Sequence, residues 1–168
     1  HRRYGRIDLI TIPATEALLT ARSVGDPQGE LYALLTLATT DDVRLDEARS
    51  LALRTESQRD MAVVALVQCE QESARKDDSA QESARAALVR AGEFFESVAE
   101  DTDLCRYRRL WAALRNDAAA DKRLEIIHSA ITRCEETGDK WELVQCLTIR
   151  GGLAIQNADF EIAYADLI

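Results

Sequence analysis

The chain has 168 residues, 46% hydrophobic and 30% charged, a length and balance that suit one globular domain with a sizeable core. Seven Gly and two Pro argue for long helices over a turn-rich β-protein. A net charge of −9 argues against broad binding to nucleic acid or an anionic membrane.

No apolar run approaches the ~18 residues that span a bilayer, and the basic start is too short in apolar residues for a secretion signal. The sequence does not begin with Met, so it is expected to be part of a longer protein. Cys69, Cys105, Cys134 and Cys146 are scattered without C-x-x-C spacing, which predicts small buried thiols in a reducing compartment, the cytoplasm, with no structural metal or disulfide.

In chain order, residues 1–12 form an unplaced segment. Arg2, Arg3 and Arg6 surround Tyr4, and Ile7 to Ile12 fits either an extended stretch or the end of an earlier helix. Pro13 suits the first turn of a helix carrying Ala17, Leu18 and Ala21, which stops at Gly25-Asp26-Pro27. Apolar periodicity then predicts helices over 28–38, 45–53, 58–75 and 80–98. Asp41-Asp42 and Asp77-Asp78 separate them as turn and cap residues, without calcium-loop spacing.

Glu100 to Asp103 breaks the chain again and offers N-caps for a helix over 104–114. Its partner spans 121–134. The final pair lies between Gly138 and Leu167, with a polar break at 156–159 and a stripe of Phe160, Ala163, Tyr164 and Leu167.

Internal repetition organises these helices. Gly25-Asp26 returns 113 residues later as Gly138-Asp139, close to three units of ~38 residues. Every second helix also aligns, as LDEARSL, QESARAA, DKRLEII and DFEIAYA, matching Ala48, Ala84, Leu124 and Ala163 at intervals of 36, 40 and 39. Small residues there let two helices of a hairpin approach, so Ala84 and Ala163 are expected to be packing positions. A hairpin of two helices cannot bury both apolar faces alone and needs like neighbours.

The pattern resembles the tetratricopeptide repeat, in the longer form found in large bacterial signalling ATPases and transcription activators. Gly138, Asp139, Trp141, Leu143, Gly151, Leu153, Ala154, Asp159, Phe160 and Ala163 carry the likeness. Tyr32, Leu35 and Ala48 add to it, as do Trp111, Ala112 and Leu124, while the closing Pro of the repeat is absent. The resemblance implies an all-α fold over residues 13–168, a right-handed superhelix of about four antiparallel helical hairpins. It also implies that first helices line a concave groove. On that projection Arg106, Arg109, Asn116, Gln145, Thr148 and Gln156 face a protein or peptide partner, with the Arg forks suited to carboxylates.

Catalytic signatures are sparse. Glu125 and His128 give a single E-x-x-H, half of what a di-iron bundle needs. No phosphate-binding Gly-rich loop and no nucleophile elbow occurs. Gly151-Gly152 reads as close helix packing, and Trp111 and Trp141 as core between hairpins. The expectation is a non-catalytic interaction module without cofactor or metal, part of a larger regulatory protein. A small-molecule effector sensor would need a deep groove with converging polar groups. A helical enzyme would need His128 among several carboxylates.

Overall fold

The computed structural model describes residues 4–39, 41–75, 77–98 and 100–167. The described residues form nine α-helices and no strand, so the fold is all-α. They are α1 (Tyr4–Val24), α2 (Pro27–Ala38), α3 (Asp42–Thr55), α4 (Gln58–Ala74), α5 (Asp78–Phe95), α6 (Leu104–Leu114), α7 (Ala120–Thr137), α8 (Lys140–Gln156) and α9 (Phe160–Leu167).

The chain's punctuation follows from its caps. Gly25 and Gly138 adopt the left-handed backbone (φ 70° and 72°) that ends a helix cheaply only at Gly. The Asp that follows each one starts the next helix: Asp26 accepts from the Gln28 and Gly29 amides, and Asp139 from Glu142. The repeated Gly-Asp is therefore a stop joined to a start. Asp41, Ser57 and Asp77 cap α3, α4 and α5 in the same way.

Most boundaries fall within three residues of the sequence expectation, α3, α5 and α7 being shifted by up to that much, and one differs widely. α1 runs unbroken from Tyr4, so Pro13 lies inside it instead of opening it. Its missing N–H removes one rung of the helix ladder, and the turns before it turn Leu9, Ile10 and Ile12 to solvent. The basic cluster of Arg2, Arg3 and Arg6 lies outside the residues whose side chains are described.

Each helix packs on the next along the chain. In addition the backbones of α2 and α4, of α4 and α6, and of α6 and α8 approach closely, whereas no two odd-numbered helices approach so among the described residues; α1 reaches α3 through the long Arg22–Glu47 side-chain pair at 2.7 Å. Most of the core is one apolar cluster of Leu, Ala and Val from α1 to α6, including Leu34, Leu66, Leu88 and Phe95. A second, smaller cluster joins α6, α7 and α8 through Ala112, Ile127, Ile131 and Leu153. Ala48, Ala84 and Ala163, the aligned small positions, are all buried, and Leu124 packs at the edge of the second cluster. Gly92 is a further close approach, because a Cβ there would stand 2.9 Å from the Tyr107 hydroxyl.

Candidate functional site

The even-numbered helices form a row, and their facing side chains build a polar relay along it. Arg59 on α4 begins it. Its guanidinium donates to Asp101 at 2.8 Å and 3.3 Å, to Asp103 at 3.0 Å, to Thr102 at 3.1 Å and to the Tyr32 hydroxyl at 3.2 Å. Those hydrogen bonds, led by Asp101, raise the Arg59 pKa. Asp103 stands at the N-terminus of α6 but does not cap it, because its carboxylate is taken by Arg59 and lies 3.9 Å from Arg106.

Arg106 and Arg109, one turn apart on α6, both donate to the Glu70 carboxylate of α4, and Arg109 reaches on to Glu142 of α8. The relay thus ties four first helices together. Burial pushes the Glu70 carboxyl upward, but the two guanidiniums outweigh it and leave it below the ordinary carboxylate range. Burial wins at Glu142, whose carboxyl is raised despite Arg109. Both partners of that last pair are nearly enclosed, with side chains 12% and 10% exposed.

The six groove residues expected from the sequence therefore divide. Arg106 and Arg109 do lie on the row, yet their forks are occupied from within the chain. No periodicity in α6 announces that, since the carboxylates come from residues 33 to 39 positions away. Gln145 is half-buried on α8, and Thr148 is exposed with its hydroxyl bonded to the Val144 carbonyl at 2.8 Å. Asn116 is exposed in the turn between α6 and α7, and Gln156 is exposed at the last residue of α8.

Other expectations change as well. Trp111 is core, 8% exposed, with Arg115 and Lys122 over its ring at 5.4 Å and 5.5 Å. Trp141 is not core: it is 73% exposed. It lies two residues after the Asp139 cap, where Gln28 and Arg59 after their own caps reach the next even-numbered helix. α8 is the last helix of the described row, so the corresponding direction from Trp141 is solvent. Val144, Gly152 and Ile155 share that side of α8, and a Cβ on Gly152 would meet nothing within 4 Å, contrary to close packing there. In α9 Phe160 and Tyr164 are exposed while Ala163 is buried; the Leu167 side chain lies outside the description.

Arg150 is another polar residue in an apolar setting. It holds Asp166 of α9 through two bonds of 2.6 Å and 2.5 Å, and the Asp166 side chain is 3% exposed. Arg123 of α7 likewise donates to the Ala112 carbonyl at 2.8 Å.

The four cysteines are buried free thiols. Three that look scattered in sequence, Cys105, Cys134 and Cys146, meet in the second core cluster. Burial pushes these thiols, and Cys69, up to about 12, which keeps them un-ionised and poorly nucleophilic. Glu125 and His128 are both exposed, and no group of three or more His, Cys, Asp or Glu among the described residues has metal-site geometry. No described helix is long and apolar enough to cross a membrane. Comparison with protein-family models, with curated proteins and with solved structures finds no match.

Proposed function

We propose that the chain is a non-catalytic interaction module of stacked helical hairpins, a tetratricopeptide-like right-handed superhelix. In this reading it holds a protein or peptide partner along the row formed by α2, α4, α6 and α8. The observation that carries this is the asymmetry of packing between the two rows. The backbones of successive even-numbered helices approach closely and those of the described odd-numbered ones do not. A row whose members touch is shorter than one whose members are spread, so the stack curves with the even helices inside. The relay from Tyr32 to Glu142 supports the same reading, because it fixes the inner row as a rigid surface before any partner arrives, lowering the ordering cost of binding.

With Arg106 and Arg109 paired internally, the groups left along the row for a partner include the exposed Tyr32 and Thr148 and the half-buried Gln145. They are uncharged and suit hydrogen bonds to an extended peptide. The test is selection from a displayed random-peptide library followed by hydrogen-exchange footprinting of the winners. Protection centred on the even-numbered helices, α2 and α8 included, supports the proposal. Failure to enrich any peptide, or protection confined to the odd-numbered helices, overturns it.

A further inference from the structure

The opposite side of the molecule carries a different feature. Because α3 and α5 do not touch, they leave a slot between them, floored by α4, of about 400 Å³. That volume lies within the range of small-molecule sites. The slot follows α4 from Gln58 to Gln68, ten residues or about 15 Å of helix. Spread over that length, the volume admits one extended chain or ring and excludes a helix about 10 Å across.

Its two ends differ chemically. The middle is apolar, with Leu53, Met61, Ala65 and Phe94, and both Leu53 and Met61 remain open to solvent. At the Gln68 end, Arg49 from α3 and Arg90 from α5 each donate to the Gln68 side-chain oxygen at 3.0 Å. Two guanidiniums thus converge on one neutral acceptor. Arg49 also holds the exposed Asp46 at 2.9 Å, whereas Arg90 has no carboxylate partner among the described residues. Two guanidiniums with spare donors at one point stand out in a chain of net charge −9. The charged side chains that line the slot are Arg49, Arg90 and Glu93, a net of one positive charge, which suits a single negative charge better than a phosphate dianion.

We infer that this slot binds a medium-chain organic monocarboxylate, its carboxylate on Arg49 and Arg90 and its apolar body along Met61 and Phe94. The site is separate from the inner row, so its failure leaves the peptide-binding reading standing.

Met61 is the only Met in the sequence, so a methyl-labelled Met gives one internal NMR signal that reports on this slot. Titration of the intact chain with octanoate should move that signal to saturation, while octylamine and acetate leave it unmoved. Arg90→Gln and Arg49→Gln, both at exposed positions, should keep the helical circular dichroism and weaken octanoate at least tenfold. The inference is overturned if octanoate fails to move Met61. It is equally overturned if octylamine binds as well as octanoate, or if both Arg variants bind with parental affinity.

Discussion

Helices α1 to α5 and helices α6 to α9 each pack helix on helix in chain order but are held together differently. In the first region the interfaces are mainly apolar, and the cluster there is Leu, Ala and Val with Phe95, which stacks across the boundary on Tyr107 of α6 at 5.6 Å. Ion pairs lying wholly within it, such as Arg22 with Glu30 and Glu47, are largely exposed and contribute little, while Arg59 and Glu70 of α4 pair with residues beyond it. In the second region enclosed polar groups cross between helices: Arg109 to Glu142, Arg123 to the Ala112 carbonyl and Arg150 to Asp166. An apolar contact tolerates shape-preserving substitution, whereas an enclosed ion pair demands both partners at once. The same fold plan can therefore be sensitive to volume at one end and to charge at the other.

That contrast is breakable by substitution. The largest effect is expected at Ala84, which is fully buried in α5. Ala84→Arg overpacks the hairpin and encloses a charge, and should cost about 4 kcal/mol or more in urea melts. Ala86→Arg, two residues along the same helix and exposed, should stay within about 0.5 kcal/mol of the parent. Superimposed melts for the two would show that the first region is not volume-limited.

Next in size is Arg109→Ala, which strands Glu142 and leaves Glu70 with Arg106 alone; about 3 kcal/mol at neutral pH is expected. This penalty should shrink with acid, and the signs follow from the two carboxyls. Glu70 is depressed in the folded parent, so its stabilisation is present above the ordinary carboxylate range and is lost as pH falls through the lowered value. Glu142 is raised, so the folded state favours its protonated form, and acid removes the unpaired charge that penalises the variant. Denaturation at neutral pH and near pH 4, about the ordinary carboxylate value, should show parent and variant converging on the acid side. A constant gap would assign the loss to packing.

Asp166→Asn should cost about 1–2 kcal/mol, since it weakens a charge-assisted pair at the chain's last described helix. Hydrogen exchange should quicken in α9 and leave α4 unchanged; uniform acceleration would mean that the two regions open as one. The smallest effect is expected at Trp141, where replacement by Ser should leave stability within about 0.5 kcal/mol and remove the red-shifted share of the tryptophan emission. A large loss would mean that Trp141 is covered in solution.

What the sequence discloses is set by the range of the interaction involved. Caps and left-handed glycines act over three or four residues, so Gly25-Asp26, Asp41, Asp77 and Gly138-Asp139 place the helix ends to within about three residues. Pro13 misleads because a helix's own ladder can absorb one missing donor. The Ala48, Ala84 and Ala163 positions are legible since a repeated interface repeats its steric demand. The relay is not, because the carboxylates that accept from Arg59, Arg106 and Arg109 lie 33 to 44 residues distant and meet them only through the packing of one helix on another. Trp141 fails for a related reason: its apolar character does not disclose whether another helix covers it, and among the described residues none does.

The convergence of three thiols in the second region and one in the first gives the molecule built-in clocks. Cys69 sits inside the first cluster, and Cys105, Cys134 and Cys146 inside the second. While each region stays shut, a thiol reagent meets neither sulfur nor thiolate, so labelling proceeds only through openings that expose the cluster. The rate at Cys69 then measures how often the Leu-rich end breathes, and the shared rate at the other three measures the end held by charges. Raising salt or lowering pH should separate the two rates without any substitution in the chain.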